Sequence, residues 1–330
     1  MAAADKIDVS IIVPCYNESE NVVTTVEKIA TAMATRSENW ELIIVNDGST
    51  DDTLGVVKRI AAEDPRVIPA GYPVNGGRGK ALRTGFKVAR GAIICSTDAD
   101  LSYKADYICD LLAALDADPD IDFVLGSPYM PGGGTENVPK NRLFISRLGN
   151  RVLQFTVNRD IYTFTCVFRA YRREVIDAIV LESDGKEIHL EILSRALGAG
   201  YRVKEVPAVL TARQKGKSKF RFGGTAVSHL LFSLTERPSL FFGIGGLLLL
   251  FLGLLTGAYI TFLRFAGDLN AGRPLMTLVV ILVLGGLQVL SFGLIAHQIG
   301  VLRTECFKTQ RETRLLRRQV DQLSEPGDKA

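Results

Sequence analysis

Two carboxylates one residue apart, Asp98-Ala99-Asp100, stand directly after the apolar run 92–96. At the end of a strand the chain can turn so that both reach one cation. Hard oxygen ligands of this kind suit Mg2+ or Mn2+ bound together with diphosphate oxygens. Asp-x-Asp alone is more often a solvated turn, so its placement carries the reading. Asp47 ends an earlier apolar run, 42–45, inside Asn46-Asp47-Gly48-Ser49. It could hold a base or ribose there; a turn residue before Gly48 is the plainer alternative. Asn75-Gly76-Gly77-Arg78-Gly79-Lys80 is a glycine-rich loop leading into a helix, able to cradle phosphate through backbone N–H groups and the positive helix end, with Gly79 and Lys80 as donor-binding candidates. It is not a Walker A sequence, because Val74 replaces the leading glycine and Ala81 follows the lysine. A surface loop is the competing reading. Arg213-Gln214-Lys215-Gly216-Lys217-Ser218-Lys219 is basic. It either attracts anionic lipid, at about 1 kcal/mol per residue, or binds the phosphate of a lipid substrate.

The elements that must position these groups follow from periodicity. Residues 9–14 form a short continuous apolar run, as in a buried parallel strand. Val22, Val23, Val26, Ile29, Ala30 and Met33 then recur at helical spacing over 20–35. Further strands are predicted at 42–45, 66–69, 92–96 and 122–125. Helices are predicted from near Asp51, over 80–89 and over 107–115. The alternation predicts an α/β, doubly wound, Rossmann-like sheet over residues 1–212, with ligands at the carboxyl ends of its strands.

Residues 238–263 and 274–302 contain no Asp, Glu, Lys or Arg. The first run would be about 39 Å long as a helix, against a hydrocarbon core of about 30 Å. A two-helix transmembrane hairpin is the expectation, and a buried core hairpin the alternative. Gly243, Gly245, Gly246, Gly253, Gly285 and Gly286 would permit close helix packing. The segment 213–237 before the hairpin and the charged tail 303–330 after it are rich in Lys and Arg, whereas the turn between the runs carries Arg264 and Arg273. The positive-inside rule therefore places the N-terminal domain and the tail in the cytoplasm. The tail reads as a helix lying on the membrane, packing between subunits of a homo-oligomer, or standing in solvent. Among 330 residues, 39 Lys and Arg balance 36 Asp and Glu, which argues against a nucleic-acid binder. Five cysteines without a Cys-x-x-Cys pair argue against a disulfide framework or a structural zinc site.

Val13-Pro14-Cys15-Tyr16-Asn17-Glu18, residues 45–53, Gly79-Lys80-Ala81, Asp98-Ala99-Asp100 and Arg213…Gly216…Ser218-Lys219 occur in the order found in family 2 glycosyltransferases. Together with the hairpin, the chain resembles the polyisoprenyl-phosphate glycosyltransferases, the group of the dolichol-phosphate mannose and glucose synthases. The resemblance covers about residues 7–300. It implies a GT-A catalytic domain in which Pro14, Tyr16, Glu18 and Asp47 contact the nucleotide and Asp98 and Asp100 hold the metal and donor diphosphate. Arg142 and Ser146, one turn apart on a predicted helix, would lie near the acceptor phosphate, as would Arg213 and Lys219. Two positions depart from the pattern: Ser102 stands where many relatives have a metal-binding Gln, and Ser127-Pro128-Tyr129 replaces Ser-Arg-Tyr.

What the resemblance implies is transfer of a single hexose, mannose or glucose, from GDP-mannose or UDP-glucose to a polyisoprenyl phosphate, with inversion. Such an acceptor is largely a dianion at pH 7, because the second pKa of a phosphate monoester is near 6. It needs no general base, which suits a chain whose histidines are His189, His229 and His297. A processive polysaccharide synthase fits less well, since the sole tryptophan, Trp40, leaves no Gln-x-x-Arg-Trp motif. A membrane scaffold that binds nucleotide without turnover is the non-enzymatic alternative.

Overall fold

A computed structural model describes residues 6–156, 158–212, 238–266 and 273–324. In chain order it contains β1 (Val9–Cys15), α1 (Val22–Met33), β2 (Trp40–Asp47), α2 (Thr53–Glu63), β3 (Val67–Tyr72), α3 (Arg78–Val88), β4 (Ile93–Ser96), α4 (Tyr107–Asp116), β5 (Phe123–Ser127), β6 (Gly134–Glu136) and α5 (Lys140–Thr156). There follow β7 (Arg169–Arg172), α6 (Arg173–Ala178), α7 (Ile188–Gly198), β8 (Val203–Pro207), β9 (Val209–Thr211) and two long helices, α8 (Pro238–Phe265) and α9 (Arg273–Ser324).

Seven strands make one sheet in the order β3-β2-β1-β4-β7-β5-β8. The expected α/β alternation is present, and every strand except β7 runs in one direction. β1 is central and buried, with Ile11 paired to Leu42 on one side and to Cys95 on the other. Strands covered on both faces favour continuous β-branched runs, and Ile11-Ile12-Val13 in β1 supplies one. From β1 the chain winds outward through β2 and β3, then crosses back to β4 on the other flank. The crevice at the carboxyl ends of β1 and β4 is therefore the topological switch point of the sheet.

The antiparallel β7, wedged between β4 and β5, is absent from the expectation, and so are β6, β8 and β9. Arg-Ala-Tyr-Arg carries no apolar run, and what makes it a strand is tertiary. Arg169 is completely buried. Its guanidinium donates to the carbonyls of Cys166 (2.8 Å), His189 (2.8 Å) and Phe164 (2.6 Å), and lies 5.5 Å from the Phe123 ring centroid. It thereby joins the loop before β7 to the start of α7.

The chain divides into two compact units, Met1–Ser228 with Cys306–Ala330, and His229–Glu305. In the second, α8 and the first part of α9 are, among the described residues, long and apolar enough to cross a membrane. A Cβ on Gly246 would lie 3.0 Å from the Gly286 carbonyl, and one on Gly253 would lie 2.9 Å from Val283 Cγ2, so these glycines set the helix separation. Gly243 and Gly285, expected in the same role, would meet nothing within 4 Å.

In the first unit the end of α9 packs on the α/β domain, which narrows the readings left open for the tail. Phe307 lies against Gly198, where a Cβ would come within 2.9 Å of its ring. Arg311 reaches the Ala199 carbonyl at 3.2 Å and stacks 4.2 Å from the Tyr201 ring centroid. Arg314 donates to the carbonyls of Asp177 (3.0 Å) and Ile179 (3.2 Å). These carbonyls close α6 and α7, where the helix ends favour cations.

Replacing Arg169 by Met would remove three buried hydrogen bonds from its guanidinium to carbonyl oxygens, at a cost of at least about 3 kcal/mol. For a domain of this size the thermal midpoint should fall by about 6–12 °C. Differential scanning calorimetry checks this, and an unchanged midpoint would contradict the role given to Arg169.

Candidate active site

The ends of β1 and β2 are tied together before any ligand is considered. Asn17, at φ 53°, accepts the Thr50 amide at 2.8 Å, and its own amide donates to Ser49 Oγ at 3.0 Å. The Glu18 amide donates to Thr53 Oγ1 at 2.9 Å, and the Glu18 carboxylate accepts from Asn21 Nδ2 at 2.7 Å. Burial pushes the Asp51 carboxyl up, but hydrogen bonds from Thr53 and Ser19 outweigh it and leave its pKa lowered. Pro14 and Tyr16 flank Cys15 at this edge, both half-buried.

Asp47 is buried, and its carboxylate is occupied by the glycine-rich loop. Oδ1 accepts from Tyr72 Oη (2.6 Å), Gly76 N (2.8 Å) and Gly77 N (3.0 Å), and Oδ2 accepts from Asn75 Nδ2 (3.0 Å). Burial, then this hydrogen bond, raises the Tyr72 pKa. Gly48, at φ 62°, has no room for a side chain, since a Cβ would fall 2.3 Å from Asn75 N. Gly77, at φ 90°, lies under the Asp184 carbonyl, 2.5 Å from where a Cβ would stand. That carbonyl accepts the amides of Gly79 (2.7 Å) and Lys80 (3.3 Å). Of the N–H groups expected to cradle phosphate, those of Gly76 and Gly77 are therefore taken by Asp47 and those of Gly79 and Lys80 by the Asp184 carbonyl. Lys80 Nζ instead rests 4.3 Å from the Tyr72 ring centroid.

Asp98-Ala99-Asp100 forms the turn after β4. Thr25 Oγ1 of α1 holds it by donating to the Ala99 carbonyl at 2.6 Å. Leu101 adopts φ 48°, an uncommon conformation for a branched residue, directly after the second aspartate. Ser102, at the departing position, donates its hydroxyl to Asp100 Oδ1 at 2.6 Å and its amide to the same oxygen at 3.1 Å. Thr211 donates its amide to the Ser102 carbonyl at 2.8 Å, which fixes the end of β9 at this turn. Arg213 and Lys219 lie outside the described residues. Asp98 is paired with Arg78, Nη2 to Oδ1 at 3.0 Å.

Arg142 and Ser146 lie on α5, as expected. Ser146 Oγ accepts from Tyr129 Oη at 2.7 Å, and Asn150, one turn on, bonds to the Ser146 carbonyl and to the Phe164 amide. Burial raises the Tyr129 pKa, opposed by the Ser146 hydrogen bond and by Arg147 and Arg142. Ser146 and the buried Asn150 and Leu153 face the domain, while Phe144, Leu148, Val152 and Phe155 are exposed.

Lys186 is a residue the sequence reading missed. Burial lowers its pKa, with the charges of Arg78 and Arg142 in the same direction and Asp98 against it. Lys186 thus feels the charges of Arg78, Arg142 and Asp98, and of these Arg78 is in direct contact with the Asp98 carboxylate. Only Arg78 had a local signal, its place in the glycine-rich loop; Lys186 has none. His189 is buried and its pKa lowered, first by burial and then by Arg169, Arg78 and Lys186. It is held as a neutral core residue.

Among the described residues no three His, Cys, Asp or Glu side chains are grouped to hold a metal. The donor set nonetheless fits a hard divalent cation: two carboxylates on one tight turn, with the remaining positions open to substrate oxygens, is how Mg2+ is commonly bound.

Residues 10–180 match Glycosyl transferase family 2, and the chain belongs to that family. It is 34% identical over 233 residues to a polyprenol monophosphomannose synthase of Mycolicibacterium smegmatis, covering 68% of this chain and 85% of the relative. It is 28% identical over 300 residues, 88% of each chain, to an undecaprenyl-phosphate 4-deoxy-4-formamido-L-arabinose transferase of Klebsiella pneumoniae. The fold is that of glucosyl-3-phosphoglycerate synthase from Mycobacterium tuberculosis, solved with Mn2+ and UDP-glucose. There the TM-score is 0.54 at 17% identity, over 69% of this chain and 78% of that one.

Asp47→Asn should cost the glycine-rich loop about 2 kcal/mol, raising amide exchange at Gly76 and Gly77 about thirtyfold. Hydrogen-exchange mass spectrometry reads this, and unchanged protection would refute the anchoring role. Burial raises the Glu205 pKa against the amides of Tyr162 and Thr163 that it accepts. An acid with a raised folded pKa contributes stability fully below its unfolded pKa and loses it as pH rises through the folded one. Denaturant midpoints should thus show Glu205→Gln gaining on the wild type between pH 4 and pH 7; a constant difference would contradict this.

Proposed function

We propose that the chain transfers a single hexose, mannose or glucose, from GDP-mannose or UDP-glucose to a polyisoprenyl monophosphate, with inversion and with a divalent metal. The observation that carries this reading is the Asp98–Asp100 turn at the sheet's switch point, with the Arg78 guanidinium 3.0 Å from Asp98 Oδ1. The relatives named for polyprenol and undecaprenyl phosphate support the acceptor class, and the neighbour solved with Mn2+ supports the metal.

Asp98 and Asp100 would hold Mg2+ or Mn2+, which supplies charge stabilisation for the departing nucleoside diphosphate. The protein's own groups do the rest. Pro14, Tyr16 and Glu18 form the β1 edge against which the nucleotide lies, while Asp47 acts through the loop it anchors. Gly79 and Lys80 shape that loop's entry into α3. Arg142 and Ser146 receive the acceptor phosphate, with Tyr129 orienting the Ser146 hydroxyl. Arg213 and Lys219 follow in sequence from Thr211, which is anchored at Ser102, and complete the phosphate site in this reading. The phosphate dianion attacks without a base, in keeping with a buried His189. The exposed row Phe144, Leu148, Val152 and Phe155 offers apolar surface for the membrane in which the acceptor resides. By the positive-inside rule the catalytic unit and the tail face the cytoplasm.

Detergent-solubilised protein with donor, Mn2+ and polyprenyl phosphate should release nucleoside diphosphate. Asp100→Asn should lower kcat by about 100-fold or more. Full activity in that variant, or no release with any donor, would overturn the proposal. Donor binding without turnover would favour the scaffold.

A further inference from the structure

We infer that Arg78 makes cation binding at Asp98 conditional on the arrival of the nucleoside diphosphate, and then transfers its guanidinium from Asp98 to the diphosphate. This rests on the metal site proposed above.

Arg78 Nη2 touches Asp98 Oδ1 at 3.0 Å, with the arginine side chain 35% and the aspartate 21% exposed. A Mg2+ ion on a carboxylate oxygen sits about 2.0–2.1 Å away. A divalent cation and a guanidinium cannot share that oxygen without strong like-charge repulsion. Without nucleotide, then, Arg78 competes with the metal. A diphosphate changes the balance, because its oxygens coordinate the cation and give the guanidinium a planar, bidentate partner in exchange for the carboxylate.

The backbone around Arg78 is held in place, so the exchange is left to the side chain. Asp47 fixes Gly76 and Gly77 on one side, and the Asp184 carbonyl fixes Gly79 on the other. The long arginine stem can swing while its Cα stays still. The ion pair keeps Asp98 neutralised until the diphosphate comes.

The test is a Mn2+ titration of the full-length protein in detergent, read by the electron paramagnetic resonance signal of free Mn2+. It is run without nucleotide, with GDP and, separately, with UDP. Wild type should bind Mn2+ about tenfold more tightly with one of these nucleotides than without. Arg78→Met should gain about tenfold in nucleotide-free affinity, and the nucleotide's effect should shrink accordingly. Arg78→Lys, which keeps the charge, should retain most of the coupling. If Arg78→Met binds Mn2+ without nucleotide no better than wild type, the proposal is wrong. If wild type takes up no Mn2+ with either nucleotide, or Asp100→Asn takes it up unchanged, the metal site itself fails and the proposal falls with it. The two failures are thus told apart.

Discussion

The buried carboxylate of Asp47 is the fixed point from which the site is built. Ionised carboxylates accept but do not donate, and this one has Tyr72 Oη, Asn75 Nδ2 and the amides of Gly76 and Gly77 on its two oxygens. Removing any donor would leave buried charge poorly compensated, so the loop has little freedom to leave. Holding the loop sets the first residue of α3, and that residue is Arg78. One strand-end aspartate thus determines where the cation facing a second strand-end aspartate must stand.

The sheet explains why those two strand ends can cooperate. β2 and β4 flank β1 on opposite sides, and the reversal of winding leaves their carboxyl ends around one crevice. The antiparallel β7 adds what parallel winding alone would not. Through Arg169 it secures the first turn of α7, and the residues just before α7 carry both the carbonyl over Gly79 and Lys186. A fully buried arginine is costly unless its donors find acceptors, and here three carbonyls serve.

The central strands and the first four helices were legible in the sequence because their signals are local: continuous β-branched runs and helical spacing. The Asp98–Asp100 turn and the apolar hairpin were legible for the same reason. β7, β8 and the paired β6 and β9 were not, since short strands of mixed polarity are made by their neighbours. The glycine-rich loop shows a different limit. Its composition suggested free N–H groups for phosphate, yet the acceptors that occupy them, Asp47 and Asp184, come from positions about 30 and 100 residues away. The tail was ambiguous because Phe307, Arg311 and Arg314 gain meaning only from the carbonyls at the ends of α6 and α7.

Charge balance connects the site to its proposed chemistry. Both proposed substrates are phosphates, and two carboxylates at their meeting point would repel them if left bare. A permanent excess of cations would bind substrate and product alike and slow release. Cations that already have a partner avoid both problems, because each trades one anion for another as the reaction proceeds. Arg78 on Asp98 is the visible instance. With an acceptor that arrives ionised, such reordering of ion pairs is the work left for the protein to do.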